Sequence, residues 1–296
     1  MAGEHHASHL SGDGIDVCEK PIFVVGSPRS GTTALATGLA RHPDLWTSDE
    51  SFFLHSLFGS GRVFDIHRRH HERKSPSWLQ TQGVDRGEFL AYLGLGVNAL
   101  FSSRSGGRRW IDQTPLYTQM VFELSELFPT AQFLHIVRDG RLVVHSMSNF
   151  LNKFRDRPEA VQYVPDWAYD FREACTTWTS WVEKAEEFRL ASADRCLLVR
   201  NEHLLESPEQ QCAAIFGFLG VADEPGPLDY FRTTRTNSSF DRKAPADPVD
   251  DGWLGWDEER RAIFTSVAGE TMARLGYLAP EDVEAHREGV PAVEDA

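Results

Sequence analysis

The sequence of 296 residues contains no apolar run that approaches the roughly 20 residues needed to span a membrane. Residues 1–19 are polar, rich in histidine and glycine, and lack the apolar centre of a secretory signal peptide. Only four cysteines are present, and the spacing of Cys18, Cys175, Cys196 and Cys212 fits no metal site. We therefore expect a cytoplasmic protein with no membrane span, with buried free thiols and without a bound metal.

Positive charge is also scarce in this chain. There are 30 lysines and arginines against 44 aspartates and glutamates, which gives a formal net charge of −14 at pH 7. Such a balance disfavours nucleic acid as a partner, because its phosphates would be repelled. A local positive cleft can still bind a small anion within an acidic protein.

The order of apolar and amphipathic segments predicts an α/β protein. Strands and helices alternate, which favours a P-loop-like parallel sheet flanked by helices on both faces. The predicted strands are residues 21–25, 109–112, 133–137 and 196–199, and the predicted helices are residues 33–40, 85–101, 116–128, 166–189, 208–219 and 257–275. We expect one domain over residues 20–279, between a flexible N-terminal segment, 1–19, and an acidic C-terminal tail, 280–296.

The segment of residues 21–33 is typical of a strand, a phosphate loop and a helix. Backbone N–H groups of such a loop and the start of the helix favour an anion. Gly26 and Gly31 are five residues apart, as in a P-loop, but Thr32 stands where the P-loop lysine is expected. That lysine normally reaches the terminal phosphates of ATP. The cation is instead Arg29, within the loop, so we predict a phosphate-like ligand other than ATP.

A second strand-to-helix segment, residues 131–146, carries another pair of phosphate-binding side chains. Arg138 ends the strand, and Ser146 lies eight residues later, roughly two helical turns on. Arginine offers a planar, permanently charged fork to a phosphate, and serine adds a hydroxyl donor. This segment is therefore a candidate phosphate site.

Residues 27–33 resemble the 5′-phosphosulfate loop of sulfotransferases, which use 3′-phosphoadenosine 5′-phosphosulfate (PAPS). These enzymes hold the 3′-phosphate with an arginine and a serine at the spacing of Arg138 and Ser146. Within the family, the chain is most similar to the protein-tyrosine sulfotransferases and their bacterial relatives, from about residue 21 to residue 277. The resemblance implies the sulfotransferase fold, PAPS as co-substrate, no metal, and an acceptor hydroxyl on a small molecule, a carbohydrate or a peptide tyrosine.

The resemblance also implies which residues bind PAPS. The expected contacts in the two motifs are Arg29, Ser30, Gly31, Thr32, Thr33, Arg138 and Ser146. In the family a serine-containing loop folds over the co-substrate, and here Ser238, Ser239 and Arg242 fit that role.

A hydroxyl acceptor needs a base to take its proton. Glu50 is the expected base, since it follows Arg29 by 21 residues, as the glutamate of the tyrosine-sulfating relatives follows the loop arginine. Asp49 is its neighbour in the chain. His55 and Asp112 remain alternative bases at this point.

Four positions depart from the tyrosine-sulfating pattern. Gln113 stands where those relatives have a lysine, and Phe52, two residues after the expected base, replaces an arginine. Phe150 replaces another arginine, and Asn201 replaces a tyrosine. These changes predict a smaller or more apolar acceptor than an acidic peptide.

A function of a different class is also open. The loop would suit a phosphate-binding protein of kinase or non-enzymatic type. The missing P-loop lysine, together with the pair Arg138 and Ser146, favours the sulfotransferase.

Overall fold

A computed structural model describes residues 15–154, 164–233 and 251–279. Five parallel strands form one sheet in the order β2-β3-β1-β4-β5. The strands are β1 (Ile22–Val25), β2 (Leu45–Thr47), β3 (Arg109–Asp112), β4 (Gln132–Val137) and β5 (Cys196–Arg200). Because all five run in the same direction, the segments that follow them meet at one edge of the sheet.

The described residues contain twelve α-helices. They are α1 (Thr32–Leu39), α2 (Phe53–Phe58), α3 (Arg62–His71), α4 (Trp78–Thr81), α5 (Arg86–Ser105), α6 (Val121–Leu127), α7 (Gly140–Ser148), α8 (Phe171–Ala191), α9 (Asn201–Glu206), α10 (Pro208–Leu219), α11 (Pro225–Thr233) and α12 (Glu258–Arg274). None of the helices in these described ranges is both long enough and apolar enough to cross a membrane.

The central strand β1 is buried on both faces, as a parallel sheet between two helical layers requires. Ile22 and Val24 pack with α1 and α10 on one face. Phe23 and Val25 pack with α5 and α6 on the other. The predicted parallel sheet with helices on both faces is therefore confirmed.

A third apolar cluster holds α7 against α8 and α12. At the start of α7, a Cβ on Gly140 would lie 2.8 Å from the indole ring of Trp178. Glycine at this position lets α7 approach α8 closely. That contact fixes the helix that carries Ser146.

Two predicted helices differ from the structure. The segment predicted as residues 116–128 begins as a 3₁₀ turn, Pro115–Met120, before α6. The segment predicted as residues 166–189 begins with the 3₁₀ turn Asp166–Ala168, and α8 starts later because the side chain of Asp170 caps it by accepting from Glu173 N. The three-residue strand β2 was not predicted, since so short a run has no clear periodicity.

Candidate active site

The loop between β1 and α1 is held in a shape that glycine alone tolerates at two points. Gly26 has φ of +149°, and a Cβ there would lie 2.3 Å from the carbonyl oxygen of Ile136 in β4. Gly31 has φ of +100°, and its Cβ would lie 2.3 Å from Asn201 Nδ2. The two glycines of the motif therefore let the loop pass between β4 and the start of α9.

The side chain of Thr118 hydrogen-bonds to the backbone of the first glycine of this loop. Its Oγ1 accepts from Gly26 N at 2.8 Å and donates to the Gly26 carbonyl oxygen at 3.0 Å. The sequence did not single out Thr118, because it lies 92 residues away in a segment without a motif.

Arg29 and the second motif meet in space. Arg29 Nε donates to Ser146 Oγ at 3.2 Å, and Arg138 Nη1 donates to the Arg29 carbonyl oxygen at 3.5 Å. The guanidinium carbon of Arg29 lies 5.8 Å from the centre of the Phe150 ring. Arg29 also has φ of +69°, a left-handed conformation that costs energy for any residue except glycine. The fold therefore keeps this arginine in a strained position beside Arg138.

The two arginines form a half-buried positive site. The pKa of Arg29 is lowered to about 10, first by burial and then by the charge of Arg138, while Glu50 acts in the opposite direction. Arg29 is still charged at neutral pH. An anion between the two guanidinium groups would relieve their repulsion and replace the hydration that burial removed.

Ser30 adds a hydroxyl that fits such an anion. Its side chain is fully buried, and its Oγ has no hydrogen-bond partner among the described residues. Buried hydroxyl groups are normally paired. Thr32 and Thr33 follow at the first turn of α1, where the backbone N–H groups are open to an anion. These positions fit a phosphate or sulfate group.

Glu50 lies in the segment between β2 and α2. The pKa of Glu50 is raised to about 7, first by burial and then by the negative charge of Asp112, while Arg29 acts in the opposite direction. Its chain neighbour Asp49 is exposed. The structure thus brings the expected base near the loop arginine.

The two alternative bases occupy different surroundings. Asp112 is 5% exposed, and both its oxygens are engaged: Oδ1 accepts from Thr114 N at 2.8 Å, and Oδ2 accepts from Ser51 Oγ at 2.7 Å. The ring of His55 lies against Gly59 at the end of α2. Both oxygens of Asp112 are therefore already hydrogen-bonded, while His55 stays an alternative base.

Gln113 and Phe52 lie near Glu50. Gln113 is 4% exposed, its Nε2 donates to Ser48 O at 3.4 Å, and its Oε1 has no partner in the described part of the chain. Phe52 has φ of +50° and is 50% exposed. Phe52 thus has a strained backbone conformation and a half-exposed ring. The ring, two residues from Glu50, is an apolar contact available to a ligand.

Three predicted site residues, Ser238, Ser239 and Arg242, lie outside the described residues. Within the described ranges, no group of three or more His, Cys, Asp or Glu side chains is arranged to hold a metal ion.

The model of the sulfotransferase family matches residues 21–225, which is more than half of the chain. The chain belongs to the sulfotransferase family. The family predicted from the two phosphate-binding motifs is therefore confirmed.

Several named proteins are similar to this sulfotransferase. Protein-tyrosine sulfotransferase 2 of Gallus gallus is 28% identical over 88% of the chain and 67% of its own length. The protein-tyrosine sulfotransferase of Drosophila melanogaster is 30% identical over 68% of the chain, but this covers only 38% of the fly protein. The nodulation protein NoeE of Sinorhizobium fredii is 26% identical over 88% of the chain and 67% of its own length.

Solved structures share the fold of this sulfotransferase. The sulfotransferase domain from the curacin biosynthetic pathway has a TM-score of 0.52 at 19% identity, over 90% of this chain and 100% of that domain. The sulfotransferase domain of the Synechococcus PCC 7002 olefin synthase has a TM-score of 0.50 at 21% identity, over 86% of this chain and 98% of that domain. At these identities the likeness shows a common fold.

Proposed function

We propose that this sulfotransferase moves the sulfuryl group of PAPS to a hydroxyl group of a neutral acceptor. The observation that carries the proposal is that Arg29, Arg138 and Ser146 lie together at the edge of the sheet. The hydroxyl of Ser30 next to them has no hydrogen-bond partner among the described residues. PAPS has two separate anionic groups, and this site has two arginines to receive them. The motif lysine of ATP-binding loops is replaced by Thr32, which disfavours the kinase alternative.

We assign the residues of the proposed active site to two groups, a cofactor side and an acceptor side. The cofactor side consists of Arg29, Ser30, Arg138 and Ser146. There Arg138 and Ser146 bind the 3′-phosphate, while Arg29, Ser30 and the backbone from Gly31 to Thr33 bind the 5′-phosphosulfate. The acceptor side consists of Glu50, Phe52, Asp112 and Gln113. The assignment needs no metal, because the two arginines supply the positive charge.

The chemistry is a displacement at sulfur. Glu50 accepts the proton of the acceptor hydroxyl while that oxygen bonds to sulfur, and the bond between sulfur and the phosphate oxygen breaks. Arg29 stabilises the negative charge that remains on this oxygen. A base is most effective when its pKa lies near the working pH, and the pKa of Glu50 is raised to about 7. Gln113 contributes hydrogen bonding without charge.

The acceptor is expected to be uncharged and apolar near its hydroxyl. No lysine or arginine occurs in residues 48–61, which follow β2, while Asp49 and Glu50 lie in that stretch. An acidic peptide would meet like charges there. The half-exposed ring of Phe52 offers an apolar contact instead.

Transfer from radiolabelled PAPS to a panel of acceptors tests the proposal. The panel contains benzyl alcohol, longer aliphatic alcohols, phenols, a neutral sugar and a tyrosine peptide rich in aspartate. We expect product with the apolar alcohols or phenols and less with the acidic peptide. Preferred sulfation of the acidic peptide would refute the acceptor class. Binding of ATP with magnesium in preference to adenosine 3′,5′-bisphosphate (PAP) would refute the co-substrate.

Three further expectations stay predictions: the domain limits of residues 20–279, the absence of nucleic acid among the partners, and a cytoplasmic location. Cys18, Cys175, Cys196 and Cys212 are free thiols, and the last three are buried, which is in keeping with a reducing compartment.

A further inference from the structure

A hydrogen-bond network joins the residue after Glu50 to the end of β3. Ser51 Oγ donates to Asp112 Oδ2 at 2.7 Å and lies 2.6 Å from the Tyr117 hydroxyl oxygen. Ser51 N donates to Thr114 Oγ1 at 2.9 Å. Ser51 is therefore held through both its backbone and its side chain by residues more than 60 positions away.

The same network reaches the start of α2. The hydroxyl of Tyr117 accepts from Leu54 N at 3.1 Å. The chain from residue 48 to residue 52 belongs to no helix or strand, so these contacts take the place of regular backbone hydrogen bonds. The chain that follows Glu50 is thus held at two points, Ser51 and Leu54, by one scaffold.

The scaffold itself is rigid. Asp112, Thr114 and Tyr117 are 5%, 1% and 1% exposed. Tyr117 belongs to the apolar cluster that covers the face of β1 on which Phe23 lies. Because close-packed side chains have few alternative positions, the residues that hydrogen-bond to Ser51 hold it in one position.

We propose that Asp112, acting through Ser51 and together with Tyr117, is a positioning residue that holds Glu50 beside Arg29 and the acceptor hydroxyl. This inference rests on the proposed function, in which Glu50 is the base. Asp112 does not take the proton itself, since both its oxygens already accept hydrogen bonds. The charged groups acting on Glu50 are Asp112 from β3, Arg29 from the loop and Asp49 from its own segment.

The test compares Ser51→Ala, Tyr117→Phe and Asp112→Asn with the wild type. The carboxyl of Glu50 is followed by ¹³C NMR over a pH titration and identified by its loss in Glu50→Gln. If the network holds Glu50 in its half-buried position, all three variants release it towards water, and Glu50 titrates at lower pH than in the wild type. The shift is largest in Asp112→Asn, because that variant also removes a nearby negative charge.

Thr271→Ala is the matched control. Thr271 is 1% exposed, and its hydroxyl donates to Glu183 at 2.6 Å, in α12 and α8. This control removes a buried hydroxyl outside the site, so Glu50 should titrate as in the wild type. If Asp112→Asn does not fold, as judged by circular dichroism, Ser51→Ala and Tyr117→Phe decide the question.

Turnover of benzyl alcohol with PAPS gives the second readout. We expect kcat to fall about 10- to 100-fold in Ser51→Ala and Tyr117→Phe, since small misplacements of a reacting group have effects of this size. The affinity for PAP should stay unchanged. A wild-type titration of Glu50 in all three variants would overturn the inference while leaving the proposed function standing. Full activity of Glu50→Gln would overturn the role of Glu50 and the positioning role with it.

Discussion

The cofactor side and the acceptor side differ in charge and in construction. The cofactor side brings together two arginines, and its loop depends on the positive φ angles of Gly26 and Gly31. The acceptor side brings together Glu50 and Asp112, and it depends on hydrogen bonds from distant side chains. Binding an anion needs a fixed backbone shape, whereas accepting a proton needs a carboxylate kept partly away from water. The following predictions test this division.

The largest effect is expected from Glu50→Gln. Glutamine keeps the shape of glutamate but cannot accept a proton, so kcat should fall by about 10²–10⁴-fold. Steady-state turnover of an alkyl alcohol measures it, since a phenol of low pKa would depend less on the base.

Asp49→Asn is the matched control for this prediction. Asp49 is exposed and adjacent to Glu50, so its variant should keep most of the activity. An inactive Asp49→Asn beside an active Glu50→Gln would show that the base is the neighbouring carboxylate.

Arg29→Ala should lower kcat by about 10²–10³-fold, the range found when one stabilising donor is removed from a transition state. The melting temperature of the free protein should change little, because burial beside Arg138 already disfavours this charge. Activity and thermal melting are measured on the same preparation. A variant with full activity would place Arg29 outside the reaction.

The pH dependence of kcat/KM should report the raised pKa of Glu50. This base works only when deprotonated, and its pKa is raised to about 7. The rate should therefore rise by about tenfold between pH 6 and pH 8, and this rise should be missing in the residual activity of Glu50→Gln. A profile that is flat over this range would contradict the account of the acceptor side.

The smallest effect concerns stability. The pKa of Glu50 is about 7 in the folded protein against an ordinary value of 4.5, so the folded state binds more protons between these values. Stability contributed by this group is present below its ordinary pKa and is lost as the pH rises through 7. At pH 8, Glu50→Gln should be more stable than the wild type by about 1–2 kcal/mol, allowing for partial solvent screening.

Urea denaturation at pH 8 and at pH 4.5 measures this difference. The gain in stability should be present at pH 8 and largely absent at pH 4.5. Equal stability of the two proteins at both pH values would show that Glu50 is not held in a buried position.

The motifs of the proposed cofactor side can be recognised in the sequence because their residues lie close together in the chain. Gly26 and Gly31 must occupy set positions in the loop, and Arg138 and Ser146 are fixed by one strand and one helix. Four of the five strands were predicted, three of them from nearly continuous apolar runs. The strand β2 was missed, since three residues are too few to show a period.

The acceptor side was predicted only in part. Glu50 was singled out by its separation from Arg29 in the sequence. The hydrogen-bond network of Ser51, Asp112 and Tyr117 was not predicted. Its hydrogen bonds join residues 61 and 66 positions apart, and single polar residues inside apolar segments carry no sign of their partners. Asp112 was consequently considered as a base, whereas the structure has both its oxygens accepting hydrogen bonds.

Calorimetric titration of PAP and of 5′-AMP into the wild type, Arg138→Ala and Glu50→Gln tests the division of the site most directly. The wild type should bind PAP far more tightly than 5′-AMP. Arg138→Ala should lose about 1.5–3 kcal/mol of PAP binding, the contribution of a charge-assisted hydrogen bond. Glu50→Gln should bind PAP as the wild type does. Equal affinity of the wild type for PAP and 5′-AMP, or unchanged PAP binding by Arg138→Ala, would contradict the assignment of the cofactor side.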